Sequence, residues 1–153
     1  MKQILILLTA MLLFSKKSNS QTAADSVKAV INQLFAAMLN ADAAKLKETF
    51  ADSAILQTIR KNKEGSFITE TEKVSDFADF ISTVKKDSAD ERITFESIKI
   101  DGPLAAVWAP YNFYYNGIFS HCGVDSFQLL RINGRWKIIY LIDTRRKQGC
   151  KPD

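Results

Sequence analysis

The chain has 153 residues, 46% of them hydrophobic and 25% charged, with a formal net charge of +4. That balance excludes a disordered polar chain, and the length allows about one core. Lys2, Lys16 and Lys17 supply three of the surplus charges; residues 1–20 hold no acid, so without them the charge falls to +1 and a nucleic-acid role has little to stand on.

Lys2, the apolar run Ile4 to Phe14 and the polar stretch ending Ser18-Asn19-Ser20-Gln21 have the layout of a secretory signal peptide, with cleavage expected before Gln21. The run is too short to span a bilayer. The expected product is exported, periplasmic or secreted, with no membrane attachment after cleavage: a domain over 21–147 and a short tail over 148–153. The basic residues Arg145, Arg146, Lys147 and Lys151 cluster at its C-terminal end.

From Asp25 onward, Val27, Val30, Ile31, Leu34, Phe35, Met38 and Leu39 recur at helical spacing, with Asp25 or Ser26 as the expected cap. Asp42 is placed to cap a shorter helix carrying Leu46 and Phe50. Ala54 to Ile59 reads as a strand, and a turn through Gly65 leads to another around Phe67 to Thr69. Val74, Phe77, Ile81 and Val84 mark a third helix.

After Asp87 the period becomes alternating, and four strands are expected: Arg92–Ile100, Leu104–Tyr115, Ile118–Ile132 and Arg135–Arg145. Three helices followed by a meander define an α+β fold. Asp101-Gly102, Asn116-Gly117 and Asn133-Gly134 are the hairpin turns, and two-residue turns fix register. Regular pairing from them sets Asn112 opposite His121 and Trp108 opposite Asp125. It places Trp108, Asn112, Tyr114, His121, Asp125, Phe127 and Tyr140 on one aromatic-rich face, expected to pack under the helices. Pro110, which has no N–H to donate, argues for a bulge at Ala109-Pro110; Asn112 would still meet His121.

Trp108, Asn112, Tyr114, His121, Asp125 and Tyr140 are therefore the candidate ligand-binding residues, with Asp125 and His121 the candidate catalytic groups. His121 reads either as a ligand contact or as a strand-end histidine satisfied by a carbonyl or solvent. Asp125 reads either as a proton-transfer group raised by burial or as a structural acceptor. Four residues apart on one strand, their Cβ atoms should lie about 13 Å apart, too far for a direct dyad. The opposite face, with Val107, Val124, Ile139 and Leu141, offers a homodimer surface. Cys122 and Cys150 form a plausible disulfide in an oxidising compartment or remain free thiols; with one histidine, they make no metal set, and no cofactor is expected.

The stretch LFAAMLNADAAKLKETFADSAILQT, a helix after it and a meander closing in RINGRWKIIYLIDT resemble the nuclear transport factor 2-like superfamily, including its SnoaL-like and lumazine-binding-like branches. Asp42, Leu46, Phe50 and Gly134 to Ile138 carry the likeness most specifically, over about Ala24 to Thr144. The resemblance implies a cystatin-like cone, a strongly curved, mostly antiparallel sheet enclosing a pocket, often with dimerisation across the outer face. It implies either a small-molecule-binding domain, an isomerase, dehydratase or cyclase, or a non-catalytic interaction domain. No local motif carries that superfamily's catalytic residues onto numbered positions here.

Overall fold

A computed structural model describes residues 22–152; the expected signal peptide, 1–20, lies outside them. The first helix, α1 (Ala23–Leu39), begins at Thr22 rather than at Asp25 or Ser26. The Thr22 hydroxyl accepts from the Asp25 N–H at 3.1 Å while the Asp25 carboxylate turns back to the Thr22 N–H, a reciprocal capping box that uses Asp25 inside the helix. Val27, Ile31, Leu34, Phe35 and Met38 form its buried stripe. Ala41 closes the helix with a left-handed φ of 54°, and the Asp42 N–H donates to Ala37 O at 2.9 Å. Asp42 then caps α2 (Ala43–Thr49) by accepting from the Lys45 N–H.

The seven strands are β1 (Phe50–Lys61), β2 (Phe67–Glu72), β3 (Ala89–Ile93), β4 (Ser97–Asp101), β5 (Leu104–Tyr115), β6 (Ile118–Ile132) and β7 (Arg135–Arg146), with α3 (Val74–Thr83) between β2 and β3. They form one sheet in the order β2-β1-β7-β6-β5-β3, with β4 also paired to β5; only the β1–β7 pair is parallel. The helices lie on one face. There Phe127, Leu129 and Ile138 are fully buried against Ile31, Leu34 and Leu46, and Phe35 meets Phe127 edge-on at 6.3 Å. Each such side chain contributes about 1.5–3 kcal/mol by leaving water.

Asn116-Gly117 and Asn133-Gly134 take positive φ at both positions, as a tight hairpin with right-handed strand twist requires. The first hairpin instead turns on Gly102-Pro103, pairing Asp101 with Leu104. Three irregularities correct the simple register. Residues 94–96 bow out opposite Ala109-Pro110, dividing the expected Arg92–Ile100 strand into β3 and β4, while β5 runs straight through Pro110 against β6. The Pro110 carbonyl accepts from the Thr94 N–H on that side, so its missing N–H faces the irregular edge and not β6.

The second irregularity leaves Ser120 unpaired between Phe113↔His121 and Tyr114↔Phe119. It shifts the rest of β5 by one residue, so Trp108 faces Ser126, Ala109 faces Asp125, and Asn112 faces Cys122 rather than His121. The third leaves Ile139 unpaired between Leu129↔Ile138 and Gln128↔Tyr140. Beyond it Leu141, Asp143 and Arg145 turn inward, while Tyr140 and Ile142 turn outward. Val107 and Leu141, expected on the outer face, are thus a core residue and a cavity residue.

Candidate functional site

Helices cover one half of the concave face; over the other half they stand off and leave a cavity of about 230 Å³. Leu34, Phe35 and Met38 of α1 and Phe77, Phe80 and Ile81 of α3 form its apolar wall. Its polar wall is the sheet: Glu91 on β3, Tyr111 on β5, His121 and Asp125 on β6, Asp143 and Arg145 on β7. Phe80 and Tyr115 line the space while remaining about half exposed, which marks them as its rim.

Gly123 makes room for this wall. It pairs with Tyr111, and a Cβ on it would fall 1.8 Å from the Thr144 carbonyl oxygen and 2.6 Å from the Tyr111 ring. The tyrosine therefore lies across bare backbone, its hydroxyl 2.9 Å from Thr144 O and 3.2 Å from Asp143 Oδ2. Asp143 is compensated on both oxygens: the Thr58 hydroxyl donates to Oδ1 at 2.6 Å, and Arg145 Nε donates to Oδ2 at 2.9 Å. Arg145 Nη2 also reaches the Thr58 hydroxyl at 3.1 Å.

Asp125 is different. Its residue is 3% exposed, and among the described residues no N–H or hydroxyl donates to Oδ2. The neighbouring polar group is the Glu91 carboxyl, and two carboxyls can bond only by sharing a proton. Burial first, then mutual repulsion, drives Asp125 well above the ordinary carboxylate range; burial likewise pushes Glu91 up to about 7. Burial and the Arg145 charge hold His121 down, favouring the neutral imidazole, with Nδ1 3.1 Å from the Ser120 hydroxyl. Its ring packs against Tyr111 and Phe113. Burial and the nearby carboxylates push the Tyr111 phenol upward, so it stays a neutral donor.

Of the residues that the sequence grouped, His121 and Asp125 line this cavity. The other four stand on the opposite sheet face because the bulges at Ser120 and Ile139 shift their strands. Trp108 is 46% exposed there. Asn112 Nδ2 donates to Lys151 O at 2.9 Å, tying down the tail beside the disulfide that joins Cys122 and Cys150. Tyr114 packs edge-on against Phe119 with Arg92 over its ring, and the Tyr140 hydroxyl donates to Gln57 Oε1 at 2.6 Å. In their place the structure brings Glu91, Tyr111, Asp143 and Arg145 to the cavity. Among the described residues no cluster of histidine, cysteine and carboxylate side chains suits a metal ion.

Solved structures share this architecture. A nuclear transport factor 2-like protein of unknown function from Shewanella baltica superposes with a TM-score of 0.63 at 17% identity, covering 84% of this chain and 100% of its own. One from Silicibacter pomeroyi gives 0.62 at 17%, covering 80% and 95%. A protein of unknown function with a cystatin-like fold from Nostoc punctiforme gives 0.64 at 14%, covering 84% and 96%. No curated protein matches the chain. Residues 22–140 match the family described as "Putative lumazine-binding". With a three-helix, curved-sheet fold and a match across most of its length, the chain belongs to that family, within the nuclear transport factor 2-like superfamily.

Proposed function

We propose that the protein is an exported domain that binds a small molecule in the cavity between the helices and the concave sheet face. The observation that carries this reading is the carboxyl pair on the cavity wall: Asp125 and Glu91 face each other there, and among the described residues no N–H or hydroxyl answers Asp125 Oδ2. A buried polar atom left without a partner costs about 1–3 kcal/mol, and a ligand donor that engages the pair from the cavity would offset that cost. The family's description as lumazine-binding agrees with a small-molecule occupant. At about 230 Å³ the space lies below the range usual for drug-sized ligands, so one or two rings suit it.

Export is supported by the leader-like layout of residues 1–20 and by a disulfide of the kind that persists in oxidising compartments. The convex sheet face, with Trp108 and Ile55 about half exposed, supports a homodimer, which sedimentation at micromolar concentration would test. Native mass spectrometry of protein purified from its own cells should find a small molecule that Asp125→Asn abolishes. Repeated recovery of bare protein, with no compound in a small-molecule library raising the melting temperature, would end the binding reading.

One observation favours a second reading. The Glu91–Asp125 pair holds a proton near neutral pH, which suits general acid–base work in an isomerase, dehydratase or cyclase. Turnover of a bound compound, lost in both Asp125→Asn and Glu91→Gln, would move the assignment from binder to enzyme.

A further inference from the structure

The polar end of the cavity has an imbalance of donors and acceptors. Arg145 is engaged with Asp143 and Thr58, the Tyr111 hydroxyl points to Thr144 O and Asp143, and the Thr58 hydroxyl donates to Asp143. Apart from the remaining Arg145 N–H groups, those donors face protein acceptors already. What stands unanswered is acceptor capacity, Asp125 Oδ2 above all, beside the Glu91 carboxyl.

Charge leans the same way. Glu91, Asp125 and Asp143 line the cavity with Arg145 as their cation, and Arg145 is held by Asp143. Glu72 adds a further carboxyl to the lining. His121 contributes no lasting positive charge, because burial and Arg145 favour its neutral form. From the helices only apolar side chains face this group, among them Phe35, Met38 and Phe77. An anionic ligand would meet more carboxyls than cations in a low-dielectric pocket, whereas a cation would replace the shared proton.

We propose that the cavity selects a planar organic cation with paired N–H donors, an amidinium-like edge on an apolar ring, the edge lodging against Asp125 and Glu91 and the ring against the α1 and α3 side chains. This rests on the binding reading above and adds the class of ligand. A flat two-donor edge spans two neighbouring carboxyls with one N–H to each, and charge-assisted hydrogen bonds are about twice as strong as neutral ones. Aromatic side chains on the apolar wall and rim suit a flat cationic ring.

Three isosteric probes isolate the charge: benzamidine, benzamide and benzoate, titrated into the full domain by calorimetry at pH 6 and pH 8. Benzamidine should bind about tenfold tighter than benzamide, with benzoate undetected. Its affinity should rise about threefold or more from pH 6 to pH 8, because the probe stays protonated while the Glu91–Asp125 proton that it displaces becomes easier to remove. Asp125→Asn should abolish the benzamidine preference; where that variant does not fold, Glu91→Gln serves the same purpose. Equal or tighter binding of benzamide or benzoate, or a benzamidine affinity unchanged from wild type in the folded variant, overturns the charge assignment and leaves a binding cavity standing. Silence from all three probes in folded protein overturns this proposal, and the library screen above then decides the binding reading separately.

Discussion

Strand β6 runs through two unlike regions. Around Phe127 and Leu129 its inward side chains are fully buried beneath α1 and α2, whereas at His121 and Asp125, on the same face, they line a cavity. Helix cover alone does not explain the difference. In the core half, β6 and β7 pair regularly from the Asn133-Gly134 turn to Leu129↔Ile138; the bulge at Ile139 stands at the boundary. Past it every β7 side chain changes face, so Asp143 and Arg145 point where Ile142 and Thr144 would have pointed. The Ser120 bulge does the same for Tyr111. Irregular pairing is thus what converts an extension of the core into a polar wall.

The largest expected effect lies in the core half. Phe127→Ala leaves a cavity under α1 and should cost about 3–5 kcal/mol in chemical denaturation. If the two regions are separate, benzamidine affinity per folded molecule should stay within about twofold. A tenfold loss would show that core and cavity act as one unit.

Removing the Cys122–Cys150 disulfide comes next. It closes a loop of 28 residues and anchors the tail to the outward side of β6, so Cys122→Ser with Cys150→Ser should lower stability by about 3 kcal/mol. Equal melting temperatures for oxidised and reduced wild type would contradict this. The tail contact from Asn112 to Lys151 O should loosen with it, visible as faster amide exchange over 148–151.

Gly123→Ala probes the cavity half directly. The added methyl would meet a backbone carbonyl that cannot swing away, so β6 or β7 must shift and Tyr111 must leave its seat. A loss of about 1–3 kcal/mol is expected, with weakened probe binding, in contrast to Phe127→Ala. Unchanged stability and binding would mean that the sheet is more pliable here than its packing implies.

These contrasts also define what was legible beforehand. The α1 stripe, the Asp42 cap and the Asn-Gly turns are local signals, read from spacing and residue type. His121 and Asp125 reach the cavity because alternation along β6 sets them on the same face as Phe127 and Leu129. Glu91 lies one residue before the strand expected at Arg92, and regular pairing from the turns would point Tyr111, Asp143 and Arg145 outward. Nothing in Ser120 or Ile139 marks a bulge, since the cause is tertiary: the sheet must curve around α1. Gly123 was the available clue. A glycine in a central strand signals close approach by a neighbour, and here the neighbour is Tyr111.

The smallest effect has the opposite sign. Asp125 and Glu91 bind protons more tightly folded than unfolded, so they favour the folded state fully below the ordinary carboxylate range. That advantage fades as pH rises, through about 7 for Glu91. His121, held down, acts oppositely: its contribution is present above 6.5 and fades as pH falls through its lowered value. Wild type should therefore lose stability between pH 6.5 and 8, where the histidine contributes little change and the acid pair dominates. Asp125→Asn keeps the shape, removes one of the two proton-binding groups and supplies an amide donor to Glu91. It should flatten this decline and gain about 1 kcal/mol at pH 8, the equivalent of roughly one pKa unit, while losing benzamidine. A variant less stable than wild type at pH 8 would mean that Asp125 makes contacts in the fold that an amide cannot replace, and the distinction between a satisfied core and an unsatisfied cavity would fail at its central residue.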